Sequence, residues 1–192
     1  MVFLVAATFA IWAHERNSLW FRLTYPVFGS GAGIIVVLAF SGVHNLNQLV
    51  ITYPIWWPRP AHLALATAIG VGVATMRILC ELTFSNGSLC APDWVAIMMF
   101  FPAALFEELL YRGALFDGLR ERLSSWLACL IITAIFCAFH LKWALDPIWL
   151  GFAVMINVGL FWVRLRFDNL WPCVIAHWAY NSMITLVVSI PR

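Results

Sequence analysis

Uncharged apolar stretches close to the ~20 residues needed to cross a bilayer recur along the whole sequence, and no other feature constrains the fold so tightly. Residues 23–43 hold no ionisable group but Tyr25, and residues 60–76 separate Arg59 from Arg77. Residues 123–139 precede His140, residues 147–163 lie between Asp146 and Arg164, and residues 169–191 follow Asp168. Two shorter runs, 1–13 and 94–106, complete the set, with 49–57 as a re-entrant or broken piece. In lipid every backbone N–H and C=O must be satisfied inside the protein, which leaves helices or closed barrels. The ten-residue alternation of a barrel is missing. The sequence thus predicts an all-α fold: a polytopic transmembrane helical bundle of seven or eight spans, built as a single integral-membrane domain over residues 1–192. Residues 1–13 lack a basic n-region and a small-residue cleavage site, so they read as a short first span and not as a signal peptide.

Composition narrows the function classes. Of 192 residues, 64% are hydrophobic and 10% charged, against about 45–50% and about 25% in soluble domains. A water-soluble globule is excluded. Eleven Lys and Arg against nine Asp and Glu leave a formal charge of +2, too little to neutralise a phosphate backbone, so nucleic acid is not an expected partner and the lipid bilayer is. Trp20, Trp56, Trp57, Trp94, Trp126, Trp149 and Trp171 fall near the ends of apolar runs, where indole favours the headgroup boundary. The five cysteines, at 80, 90, 129, 137 and 173, form no CxxC pair; a Cys80–Cys90 disulfide stays open. With seven spans, Arg59, Arg112, Arg120, Arg122, Arg164 and Arg166 share one side, which the positive-inside rule makes cytoplasmic.

The chemistry concentrates after the run 94–106. Its 13 residues give only about 20 Å of helix, so a span must continue through Glu107 and Glu108 toward Gly113. Two adjacent carboxylates then sit at membrane depth, at ~2.5–3.5 kcal/mol each, and are functional candidates by default. Glu108 and Arg112 are four apart on one helical face, with the acid N-terminal to its cation. Glu107 is rotated about 100° away and has no such partner, which leaves it available as a general base or acid. A solvated charged face formed by Glu107, Glu108, Arg112, Arg120, Glu121 and Arg122 is the plainer alternative.

Further along, Phe136 and His140 are four apart at the end of one run, and His177 and Asn181 share a face inside the last. A histidine ending an apolar helix is ordinarily an interfacial or hydrogen-bonded core residue. Two polar side chains on one face of a span make either an oxyanion site or an interhelical hydrogen bond, the latter worth ~0.6 kcal/mol on average. Taken together, a carboxylate, two histidines and an amide suffice for water activation with stabilisation of a tetrahedral anion. The same Glu, His and His could ligate zinc, although closely spaced ligands such as HExxH are absent. Counted from the tryptophan anchors, Glu107 and His177 lie at the same depth, about 10 Å from one side, whereas His140 lies about 10 Å deeper, so its helix either tilts steeply or begins below the headgroups.

These residues fall into three spaced motifs. Glu107-Glu108-Leu-Leu-Tyr-Arg112 resembles EExxxR, Phe136-Cys-Ala-Phe-His140 resembles FxxxH, and His177-Trp-Ala-Tyr-Asn181 resembles HxxxN of the CPBP family, the CAAX proteases and bacteriocin-processing (Abi) intramembrane proteases. The resemblance covers a motif-bearing core, residues 94–190. It implies a helical bundle, usually of about eight spans, that cleaves a peptide bond near the C-terminus of a membrane-associated or lipidated protein or peptide. It also implies that Glu107 activates water with help from His140, that His177 and Asn181 hold the oxyanion, and that Glu108 and Arg112 support the site. The family has been described both as metalloproteases and as glutamic proteases without metal; the spacing here leans to the second, with no cofactor and zinc as the alternative. Eukaryotic relatives remove the last three residues of prenylated CaaX proteins. Prokaryotic relatives are linked to bacteriocin maturation or immunity and to sorting-signal processing. The small single-domain build points to the prokaryotic type and a multi-pass protein of the plasma (inner) membrane. A non-catalytic immunity or scaffold protein of the same fold, or a proton-coupled carrier, are the competing classes.

Overall fold

The computed structural model describes residues 58–85, 87–140 and 146–188. The spans expected at 1–13 and 23–43, and the piece at 49–57, lie outside the described residues. In the remainder each of the apolar runs has become a helix. The order is α1 (Pro60–Phe84), β1 (Ser88–Leu89), α2 (Trp94–Glu108), a π-helical segment (Leu109–Leu115), α3 (Phe116–Arg120), α4 (Ser125–Phe139), α5 (Pro147–Phe167), α6 (Leu170–Ile184) and β2 (Val187–Val188).

Polar caps set where most of these helices begin. Asp93, Ser124, Asp146 and Asn169 precede α2, α4, α5 and α6, and each side chain accepts a backbone N–H of the first turn, satisfying donors that a helix start leaves orphaned. Trp94, Trp126, Trp149 and Trp171 fall inside those same first turns, so cap and indole mark one boundary together. Proline at the first position of α1 serves the same end, because its missing N–H would have had no partner there.

Three helical stretches, Pro60–Phe84, Trp94–Arg120 and Pro147–Phe167, are long and apolar enough to cross a membrane. The described residues therefore make a mostly helical integral membrane protein with three candidate spans, and the count of seven or eight is not reached within them. Helices α4 and α6 have 15 residues each, about 22 Å of rise.

The boundaries depart from the expected runs in two places. Helix α1 continues through Arg77 to Phe84 because Arg77 Nε meets Glu81 Oε1 at 2.6 Å one turn on, and Arg77 Nη1 donates to the Tyr180 hydroxyl at 3.1 Å. The charge that seemed to end the run is matched inside the helix. The last run does not stay helical to 191. It stops at Ile184, and Val187 and Val188 pair antiparallel with Leu89 and Ser88, a short ladder that departs from an all-α fold. Cys90, whose N–H bonds the Leu186 carbonyl at 2.9 Å, is free, as is Cys80, so no disulfide links them.

Packing is tightest between α1 and α6. Ala66, Gly70, Ala74 and Ile78 repeat every four residues and form the buried face of α1. Ala66 and Ala74 join Cys173, Ala176 and Tyr180 of α6 in one core cluster with Ile156, Leu160 and Val163 of α5, and Gly70 lies against the Ala176 backbone. Small residues at this spacing let backbones approach, which is how helices associate where lipid removes the hydrophobic drive. A second cluster joins Tyr111, Phe116, Ala128, Ile132, Phe136, Ala153 and Phe161, fixing α4 against α5 and the π-helical segment.

A Cβ on Gly70 would overlap the Ala176 carbonyl, whereas one on Gly72 would meet nothing within 4 Å. Gly70→Leu is expected to destabilise the bundle by about 1–3 kcal/mol or more through overpacking, and Gly72→Ala to leave it unchanged or firmer. Thermal unfolding of both variants in one detergent checks this.

Candidate active site

Helix α2 ends on Glu107 and Glu108, and α6 delivers His177 between them. Trp178 sets this meeting: its indole N–H donates to the Ile97 carbonyl of α2 at 2.8 Å, and its ring stands edge-on to Phe101 at 5.6 Å. On the neighbouring residue, His177 Nδ1 lies 2.7 Å from Glu108 Oε1 and Nε2 lies 3.8 Å from Glu107 Oε2. His177 is buried at 4% exposure. One imidazole thus addresses both acids of the EE pair.

The two acids differ as their spacing predicted. Glu108 is fully buried and its Oε1 also accepts from Arg112 Nη1 at 3.0 Å. The Glu107 side chain keeps 29% exposure, and among the described residues its one ion-pair contact is to His177. Within the cluster Glu107 Oε2, Glu108 Oε2 and Arg112 Nε are buried without a hydrogen-bond partner. Groups left this way in a buried site mark a place for a polar ligand or water.

His140 joins through an aromatic ring. It caps the end of α4, and its Nδ1 is 2.8 Å from the Phe136 carbonyl. A carbonyl can only accept, so Nδ1 carries the proton and Nε2 bears the lone pair of the neutral ring. His140 stacks on Phe136 at 4.3 Å, and Phe136 faces His177 at 6.4 Å. Trp149 stacks on the His140 ring as well, at 5.8 Å. His140 thus ends α4 one aromatic ring away from His177. Asn181 sits one turn after His177 in α6, half-buried; the structure does not join it by a hydrogen bond to the Glu, His and Arg cluster.

Two residues of α5 that sequence reading passed over hold the cluster from behind. Asn157 accepts from Arg112 Nη2 through Oδ1 and donates from Nδ2 to the Ala153 carbonyl at 2.8 Å. Arg164, seven residues later on the same face, donates from Nε to the Arg112 carbonyl at 3.1 Å, from Nη2 to Asp117 at 3.1 Å, and from Nη1 to Asp168. The π-helical segment makes this possible. The Phe116 N–H bonds the Gly113 carbonyl, and the Arg112 carbonyl accepts from Arg164 Nε. The Arg112 guanidinium also lies over Phe161, 4.7 Å from the ring centroid, a cation–π contact. A polar side chain inside an apolar span, as Asn157 is, was the available signal.

Among the described residues no group of three or more His, Cys, Asp or Glu side chains is gathered closely enough to hold a metal ion. Glu108 Oε1 and His177 Nδ1 bond each other beside a guanidinium, and such a donor set does not fit zinc.

Residues 89–183, about half of the chain, match the family described as type II CAAX prenyl endopeptidase Rce1-like. The chain belongs to this family of membrane peptidases. The match contains all three motifs and every residue of the Glu107, Glu108, Arg112, His140, His177 and Asn181 set. No curated protein and no solved structure matches the chain.

Removing Arg112 would strand Glu108 in a fully buried position. Arg112→Leu is therefore expected to cost about 3–5 kcal/mol, the range for breaking one partner of a buried pair. Glu108→Gln/Arg112→Leu, which removes both charges, should recover part of that loss in the same unfolding assay.

Proposed function

We propose that this protein is an intramembrane endopeptidase of the glutamic type, hydrolysing a peptide bond near the C-terminus of a membrane-associated or lipidated substrate. The observation that carries the reading is the asymmetry of the acids: Glu108 is neutralised by Arg112, while Glu107 faces His177 Nε2 at 3.8 Å and stays part-exposed. In this reading Glu107 takes a proton from water as the water oxygen bonds to the substrate carbonyl carbon, and that proton passes to the leaving amine as the C–N bond breaks. His140 assists from Nε2, the nitrogen left to accept once Nδ1 donates to the Phe136 carbonyl.

The oxyanion would be held by His177 and Asn181. With Nδ1–H committed to Glu108, the neutral ring has no proton on Nε2, so donation to an oxyanion calls for the imidazolium form, for which Glu107 and Glu108 supply countercharge on either side. Asn181 contributes its amide N–H from the next turn of the same face, in keeping with its lack of a partner in the cluster. No step is routed through a metal, and none is needed for this proton balance.

The test compares C-termini of membrane proteins by mass spectrometry in cells carrying wild type or Glu107→Ala at equal membrane levels. Longer precursors confined to the variant are expected, with processing reduced below detection. Identical C-termini alongside an intact biological effect would favour a non-catalytic immunity or scaffold role. Activity of the purified protein is expected to survive strong chelators; its loss, restored by stoichiometric zinc, would overturn the metal-free form of the proposal.

A further inference from the structure

The geometry points to Asn157 as a positioning residue that fixes His177 through Arg112 and Glu108. The links are continuous. Asn157 Oδ1 accepts from Arg112 Nη2, Arg112 Nη1 donates to Glu108 Oε1 at 3.0 Å, and the same oxygen lies 2.7 Å from His177 Nδ1. Asn157 is 1% exposed, and Arg112 and Glu108 are at 0%. The inference rests on the peptidase reading of this site and deepens it, since Asn157 lies outside the three motifs.

The amide can face only one way. Turned about, its NH2 would confront the guanidinium N–H groups and its oxygen would confront the Ala153 carbonyl, so donor would meet donor and acceptor would meet acceptor. The Ala153 carbonyl, 2.8 Å from Nδ2, therefore dictates that an acceptor is presented to Arg112. That acceptor holds Nη2, which leaves Nη1 aimed at Glu108. Without it the guanidinium can swing toward the unpartnered Glu108 Oε2, and Oε1 loses its fixed position against His177. Phe161 covers only the guanidinium face and Arg164 bonds only the Arg112 carbonyl, so neither replaces the acceptor that Asn157 gives to Nη2.

The experiment uses the full chain in lipid nanodiscs with 15N-labelled histidine. Five histidines are present, and His177 is assigned by the signals that vanish in His177→Asn. Asn157→Leu conserves volume while removing the acceptor; Asn157→Ala is the second variant, should the first not insert. The expected result is a displaced His177 imidazole 15N signal with the His62 signal unmoved. In a peptide-cleavage assay kcat should fall at least about tenfold with KM within about twofold, and Asn157→Ala/Arg112→Ala should be no slower than Arg112→Ala, as expected for residues acting as one unit. His177 signals and kcat equal to wild type in a folded Asn157 variant would overturn the proposal. So would effects of Asn157→Ala and Arg112→Ala that multiply. Failure of the peptidase reading shows separately, as cleavage that persists in Glu107→Gln, and the imidazole signal reports on positioning in either event.

Discussion

A guanidinium buried among apolar helices is the constraint that the rest of this structure answers. Arg112 has no exposure to water, and a charge at that depth persists only when paired and hydrogen-bonded. Its Nη1 goes to Glu108, its Nη2 to Asn157, its face to Phe161 and its carbonyl to Arg164. These contacts tie α2 and α5 to the π-helical segment at one point. Helix α2 ends there, α5 is fixed in rotation by two residues a heptad apart, and α6 is drawn in because Glu108 retains a contact to His177. The ion pair is less a source of stability, given the cost of desolvating both charges, than a means of fixing which faces meet.

The π-helical segment makes the geometry compatible with helical packing. A regular α-helix would direct the Phe116 N–H to the Arg112 carbonyl; here it goes to Gly113. A side chain from another helix, Arg164, then reaches the backbone at the position where the site needs rigidity. Wide turns of this kind inside α-helices are frequent at functional sites. Arg164 in turn pairs with Asp117 and Asp168, the latter in a left-handed conformation with φ of 46° that ends α5.

Much of this was legible locally. The Glu108–Arg112 pair follows from a spacing of four, the different surroundings of Glu107 from its rotation, and the helix ends from the tryptophans beside them. What was not legible depends on which faces meet. Asn157 is 45 residues from Arg112, and Arg164 is 52; periodicity shows that each lies within a span but not what it confronts. The sharing of His177 between both acids is hidden for the same reason, since its helix arrives from 69 residues away. Arg77 misled because a lone charge reads as a boundary until its partners, Glu81 and Tyr180, are known. The ladder at the end of α6 escaped because Val187 and Val188 continue an apolar run that suits helix and strand alike.

The brevity of α4 bears on how a reaction that consumes water proceeds at this depth. Its outward side chains, Trp126, Leu127, Leu130 and Phe139, are exposed apolar groups, a surface suited to acyl chains. It offers them about 22 Å where a hydrocarbon core measures ~30 Å. A bilayer accommodates such a hydrophobic mismatch by thinning around the shorter element, at a fraction of a kcal/mol per Å. In such a bilayer the headgroups, and the water among them, would be drawn toward the end of α4 that carries His140.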